Sequence, residues 1–316
     1  MAEGGRSVQA RSPPGNVLRW PGLWPGMTLP YGTARPAAAA GTFALGGDLP
    51  VHRLGYGAMQ ITGPGVWGPP PDRQAAVAVL RRAAELGVDL VDTADSYGPE
   101  VSEDLVREAL HPYDGVRVAT KGGFVRPGPG EWVAVGLPEY LTQCVEMSLR
   151  RLGVETIDLY QLHRIDARVP LADQLGRLRE LQEAGKIRHL GLSEVSVGQV
   201  RAAREIATIA SVQNLYNVTN RSAEDVLRYC EAEGIAFIPW FPIGTGRLAR
   251  PGGPLDALAV QTGHGAAQLA LAWLLQRSPV VLPIPGTKTL AHLEENVAAA
   301  GVRLGPTTVD ALDALA

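Results

Sequence analysis

The chain has 316 residues, enough for one large barrel or two ordinary domains, and carries a formal net charge of −3. Its lysines and arginines are scattered, which argues against the basic footprint of a nucleic-acid binder and the basic amphipathic helix of a membrane-surface protein. No apolar run reaches transmembrane length. The two cysteines, Cys144 and Cys230, lack CxxC spacing and read as reduced thiols, and no metal-ligand set is expected.

Residues 1–40 hold arginines but no continuous apolar stretch, which argues against a secretory signal and for a cytoplasmic protein. The segment is rich in Pro, Gly and Ala, with Trp20 and Trp24 interleaved, and shows neither helical nor strand period. It reads as a poorly ordered extension, with one domain spanning 41–316. The stretch TFALGG-DLPVHRL predicts a short hairpin that could plug one end of a barrel. Strand–helix units then repeat. A strand over Leu54–Met59 precedes a helix from Asp72, where Ala76, Val79, Leu80 and Ala83 recur at helical spacing. Val88–Val91 leads to a helix near Ser102–Leu110. Val116–Thr120 leads, through a Pro/Gly-rich loop with Trp132, to a helix after Pro138.

Ile157–Leu162 precedes a helix with Leu171, Leu175, Leu178 and Leu181. Ile187–Leu192 and Ala210–Gln213 are followed by helices at Ser196–Ile206 and Ser222–Glu233. Ile235–Trp240 opens a long loop, Phe241–Gly263, before a helix over Ala266–Gln276. Val280–Ile284 ends with a helix from Thr289 to Ala300. Eight such pairs in about 250 residues match the size and count of an α/β fold of the (β/α)8 TIM-barrel type. A doubly wound sheet is the alternative, and it would need a nucleotide-binding loop. Gly63-Pro-Gly65-Val-Trp-Gly68 matches GxGxxG by letter. It is followed by three prolines and has no ribose-binding acid in place, so it reads as a surface loop.

In a parallel barrel, residues at strand C-terminal ends share one mouth. Asp92, Lys121 and His163 each follow such a strand, and Tyr97 lies just beyond Asp92. A free phenol titrates near ~10, too high for an efficient proton donor at neutral pH. A nearby ammonium lowers that value, and Lys121 is the expected source. Lys121 in turn needs a carboxylate, Asp92, to stay charged in a partly dry cavity. His163 can orient a carbonyl oxygen or relay its proton. Singly, each residue has a bland reading: a helix cap, a loop aromatic, a solvated lysine tip and a satisfied core histidine. It is their convergence that predicts an enzyme.

The same residues carry a family resemblance. DTADSYG, TKGG, YQLHR, GLSE, VQNLYN and IPGTKTLAHLEEN, in this order from Phe43 to about Leu304, resemble the signature of the aldo-keto reductase superfamily. That resemblance implies a (β/α)8 barrel binding a nicotinamide cofactor without a Rossmann motif. It implies Asp92, Tyr97, Lys121 and His163 as a catalytic tetrad, with Tyr97 the general acid in carbonyl reduction. By the same resemblance Ser193 and Gln213 bond the nicotinamide carboxamide and Tyr216 stacks on its ring. Phe241, Ile243, Gly244, Gly246 and Leu248 follow the pyrophosphate. Gly286, Thr287, Lys288, His292, Glu295 and Asn296 hold the adenosine end. Thr287 and Thr289 stand at a helix N-terminus, which attracts phosphate but is equally an ordinary cap.

Two positions depart from the family pattern. Glu194 replaces the usual Asn after the serine, and a carboxylate cannot donate to a carboxamide oxygen. His292 stands where many relatives have an arginine for a 2′-phosphate. Lys288 remains nearby, so NADPH is expected ahead of NADH. Trp67, Trp132 and Trp240 are expected either to wall an apolar substrate pocket or to serve structural roles. The segment LGYGAMQITGPGVWGPPPDR resembles a bacterial subgroup that includes pyridoxal reductases, although a ketoreductase of secondary metabolism is equally compatible. The superfamily also resembles nucleotide-sensing regulatory subunits, which would bind cofactor with little turnover. The expected partner is a small-molecule carbonyl compound, and oligomeric state is left open between monomer and homo-oligomer.

Overall fold

The computed structural model describes Met1 and residues 35–244, 248, 250 and 252–316. Regular structure already begins inside the segment expected to be poorly ordered. Pro36–Ala40 forms a 3-10 turn with Ala37 fully buried, and the Ala37 amide donates to the Leu86 carbonyl. The apolar alanine run therefore packs instead of fraying.

Strands β1 (Thr42–Leu45) and β2 (Leu49–His52) pair antiparallel around Gly46 and Gly47, both at positive φ. Asp48 at their turn accepts from Arg188 and contacts His189. Leu45, Leu49 and Val51 pack with Leu90, Ala119, Leu159, Ala210 and Leu282, so the pair caps the interior at the strands' N-terminal side.

A seven-stranded parallel sheet curls around that interior. It comprises β3 (Tyr56–Gly57), β4 (Leu90–Asp92), β5 (Arg117–Gly122), β8 (Ile157–Leu162), β9 (Ile187–Ser193), β10 (Ile209–Gln213) and β11 (Ala236–Phe237), in the order β11-β10-β9-β8-β5-β4-β3. The short antiparallel pair β6 (Phe124–Val125) and β7 (Val133–Ala134) lies between β5 and β8 in sequence. Helices cover the outer face: α1 (Arg73–Glu85), α2 (Val101–Leu110), α3 (Pro138–Leu152), α4 (Leu171–Glu183), α5 (Val197–Arg204), α6 (Glu224–Glu233), α7 (Asp256–Thr262), α8 (Ala266–Arg277), α9 (Leu290–Ala298) and α10 (Pro306–Asp313). Asp72 caps α1 and Ser196 caps α5 through side-chain oxygens, which satisfies amides that have no partner within the helix.

Three expected strands shrink to two residues or a single bridge, among them Ile235–Trp240, which reduces to β11. Leu54–Met59 reduces to β3, because Ala58–Ile61 winds into a 3-10 turn. Residues 280–284 make only a parallel bridge at Val281 to Phe237. Pro283 has no amide hydrogen to give a ladder. The segment still bonds on both sides, through Phe237 to Val280 and Leu282, and through Gly55 to Pro283. The expected loop Phe241–Gly263 contains α7, and α10 follows the last expected helix.

Candidate active site

The tetrad residues meet at the C-terminal ends of β4, β5 and β8. Asp92 ends β4, Lys121 is the penultimate residue of β5, and His163 directly follows β8. Tyr97 lies in the turn after β4, its amide bonded to the Ala94 carbonyl. Lys121 is fully buried, and its ammonium donates to Asp92 Oδ1 at 2.5 Å, the Thr93 carbonyl at 2.9 Å and the Tyr97 hydroxyl at 3.2 Å. All three of its hydrogens are thereby used. Asp92 Oδ2 accepts from Gln161 at 3.0 Å and Gln213 at 2.9 Å. The rings of Tyr97 and His163 meet edge-on with centroids 5.9 Å apart.

Burial works against charge at Tyr97, Lys121 and His163. It pushes the Tyr97 phenol above its ordinary value; the Lys121 ammonium pulls it back only in part, and Asp92 raises it further. The expected net lowering is therefore corrected: Lys121 does pull the phenol down, but desolvation outweighs the ammonium. Burial also opposes the charge of Lys121, yet Asp92 and Tyr97 hold its pKa above the usual lysine value. His163 is held well below the imidazole range, by burial first and then by Lys121, Arg164 and Arg126. It is thus neutral at physiological pH. Ser96 Oγ lies 3.3 Å from its Nδ1. In the tautomer where Ser96 donates, the ring hydrogen sits on Nε2, available to a carbonyl oxygen.

The three tryptophans separate. Trp132 is half-buried and edges both Tyr97 (6.3 Å) and His163 (6.1 Å). Trp67 shares the Arg126 guanidinium with it, at 5.6 Å against 3.5 Å for Trp132. Trp240 stands apart, its indole nitrogen donating to Glu194 at 2.5 Å. Glu194 sits at positive φ and also accepts from the Leu215 amide at 2.6 Å. Its Oε1 thus serves the protein's own donors.

Several of the residues expected at the cofactor line the same end. Ser193 ends β9 and its hydroxyl accepts from Arg164 at 3.0 Å. Gln213 ends β10, with its nitrogen spent on Asp92 and on Gln161 and its oxygen without a donor among the described residues. Phe241 and Gly244 both adopt positive φ, Ile243 is half-buried and Leu248 is buried; Gly246 lies outside the described residues. Gly286 and Thr287 precede α9, and the Thr287 carbonyl accepts from the buried Tyr56 hydroxyl. Thr289 caps α9 by accepting from the His292 amide, so the ordinary cap is present. Lys288 and His292 are exposed, Glu295 is half-buried, and the buried Asn296 amide nitrogen has no partner among the described residues.

Tyr216 is a correction. Its side chain is fully buried, stacked on Trp273 at 5.9 Å and edge-on to Phe237, with its hydroxyl donating to Glu224. One ring face is committed to Trp273 of α8, and the side chain is fully buried among Trp273, Phe237 and Glu224, which leaves no face open for stacking on a ligand.

Sequence reasoning passed over Gln161 and Arg126. Gln161 lies two residues before His163, hence on the same strand face, and that spacing was a usable signal. Arg126 sits in the Pro/Gly-rich loop and donates to the carbonyls of Gly65, Val66, Ser96 and Glu131. It ties together the loops that carry Trp67, Trp132 and the Ser96–His163 contact. Arg126→Ala should raise KM for an aromatic carbonyl substrate about tenfold or more, with a smaller fall in kcat, because it loosens the wall but leaves Lys121 and Tyr97 in contact. Steady-state kinetics would check this, and a fall in kcat alone would contradict it.

Comparison with known proteins agrees with this geometry. The family model described as Aldo/keto reductase family matches residues 53–316. An uncharacterized oxidoreductase of Schizosaccharomyces pombe is 53% identical over 281 residues, covering 89% of this chain and 92% of that protein. Pyridoxine 4-dehydrogenase of Escherichia coli is 42% identical over 284 residues, covering 88% of this chain and 99% of that protein. The structure of an aldo-keto reductase from Klebsiella pneumoniae in complex with NADPH superposes with a TM-score of 0.74 at 27% identity, covering 87% of this chain and 94% of that one.

Proposed function

The chain belongs to the aldo/keto reductase family and is an NAD(P)H-dependent carbonyl-reducing enzyme; from that premise we propose that it reduces an aromatic aldehyde, pyridoxal or a compound of its kind, with NADPH. The observation that carries this reading is the Lys121 ammonium, held within hydrogen-bond reach of both Asp92 and the Tyr97 hydroxyl in a buried mouth. We read residues 280–284 as the eighth stave, closing the barrel between β11 and β3 on the strength of their bonds to Phe237 and Gly55.

The residues present fit a nicotinamide dinucleotide. A buried, unpartnered Asn296 amide, an exposed Lys288 and the N-terminus of α9 offer donors and positive potential for its phosphate-bearing end. The Ser193 hydroxyl and the Gln213 oxygen offer a donor–acceptor pair for a carboxamide. When bound, the cofactor supplies the hydride. The chain does the rest: Tyr97 gives its proton to the carbonyl oxygen, Lys121 steadies the resulting phenolate, and neutral His163 orients the same oxygen. Trp132, Trp67 and Phe124 exclude water from one side. The likeness to pyridoxine 4-dehydrogenase supports an aromatic substrate of that kind.

The test is loss of NADPH absorbance with purified protein over pyridoxal, an activated benzaldehyde, a dicarbonyl and an aliphatic ketone. Turnover fastest on the aromatic aldehydes is expected. Tight NADPH binding with no turnover on any of them would turn the reading toward a nucleotide sensor. Lys288→Ala should raise KM for NADPH about tenfold, as expected for one lost charge-assisted contact, and leave NADH within about twofold. Equal effects on both cofactors would remove Lys288 from the phosphate contact.

A further inference from the structure

Arg164 stands between the ends of β8 and β9 with an incompletely used guanidinium. Among the described residues its Nη1 alone is engaged, donating to the His163 carbonyl at 2.7 Å and to Ser193 Oγ at 3.0 Å. Among the described residues no acceptor meets Nε or Nη2. Glu194 acts on it electrostatically without forming an ion pair, its Oε1 being held by Leu215 and Trp240. The side chain is half-buried and lies 5.9 Å from the Phe124 ring, which in turn edges His163 at 4.6 Å. Its charge is felt at both Tyr97 and His163.

Arg164 Nε and Nη2 are not among the buried unpartnered atoms, so they face the open mouth, where an oxygen anion would replace water with two charge-assisted hydrogen bonds. Arg126, the other arginine at this mouth, differs in that it spends its donors on four backbone carbonyls. A carbonyl oxygen reaching Tyr97 and His163 would bring its neighbouring substituents toward Arg164, whose Nη1 is anchored on the His163 backbone and whose charge acts on both residues. The aromatic walls of Phe124 and Trp132 suit a single planar ring.

We infer that Arg164 selects carbonyl substrates by pairing with an ionised oxygen next to the reacting group, favouring aromatic aldehydes that carry an ortho phenolate. The inference rests on the carbonyl-reductase reading and narrows it. Pyridoxal meets the requirement, since its ring hydroxyl is ortho to its aldehyde. Nε and Nη2 can both converge on one such oxygen, and binding it offsets the charge that burial disfavours.

The experiment compares ortho-hydroxybenzaldehyde, para-hydroxybenzaldehyde and ortho-methoxybenzaldehyde at a pH where the phenols are ionised. Binding is measured by calorimetry to protein loaded with the oxidised cofactor, where no reduction occurs, and turnover is measured separately with NADPH. The wild-type protein should bind the ortho-hydroxy compound roughly 10- to 100-fold more tightly than the other two, the span expected for a hydrogen bond to a charged group. Arg164→Gln should collapse that ratio toward one, and Arg164→Lys should keep part of it. Equal binding of the three compounds by the wild type, or a ratio that survives Arg164→Gln, would overturn the inference. So would weakened NADPH binding in Arg164→Gln with the aldehyde ratio intact, which would assign Arg164 to the cofactor. Absence of turnover on every aldehyde would defeat the reductase reading, while the binding ratio would still decide the role of Arg164.

Discussion

Tyr97→Phe is expected to lower kcat for aldehyde reduction by about 10²- to 10⁴-fold, the usual contribution of a positioned general acid. The Kd for NADPH should stay within about threefold, because the hydroxyl faces Lys121 and not the residues offered to the cofactor's phosphates. The ring is nearly buried against Trp132 and His163, and phenylalanine preserves those contacts. The protein should therefore remain folded, with the loss confined to chemistry. Single-turnover reduction after NADPH binding, read by absorbance, separates the two effects. Near-normal turnover would show that the proton comes from elsewhere, with water beside His163 the next candidate.

Much of this site was legible because its chemistry sits where strand endings are fixed by apolar runs. IDLYQL is uninterrupted and bounded, and the strand found, Ile157–Leu162, has the expected limits, placing His163 at the mouth. Where proline punctuates the pattern, legibility failed. Pro283 removes a ladder donor and reduces the expected strand 280–284 to a bridge, although Leu282 and Ile284 still pack with Leu90 and Ala119. Tyr216 failed for another reason: its place at the cofactor was carried over by resemblance alone, and three residues beyond the end of β10 its ring stacks on Trp273 instead. The role of Glu194 was out of reach too, since the indole it holds belongs to Trp240, 46 positions on. The direction of the Tyr97 shift depended on a sum of opposed effects that only burial in three dimensions could decide.

Lys121→Met should show two losses with separate origins. The ammonium makes three hydrogen bonds in a fully buried position, so its removal leaves Asp92 facing only the amides of Gln161 and Gln213. Breaking one side of a buried ion pair costs about 3–5 kcal/mol, which thermal or urea unfolding would register. Adding Asp92→Asn should recover much of that stability, since the uncompensated charge is gone, but not the activity. The stabilisation in the wild type has a defined pH window. Lys121 has a raised pKa in the folded state, so its contribution is full below the ordinary lysine value and is lost only as pH climbs through the raised one.

The second loss concerns Tyr97. Lys121 is the main group pulling the phenol back down against burial, so Lys121→Met should raise the phenol's pKa further. Reduction needs the protonated phenol and oxidation needs the phenolate. The alkaline limb of the reductive profile should therefore move to higher pH, and so should the acid limb of the oxidative profile. At neutral pH the oxidative rate should fall more than the reductive one, by about tenfold for each unit of extra shift. An equal fall in both directions, with unmoved limbs, would mean that Lys121 holds Asp92 and Tyr97 in place without setting the phenol's acidity.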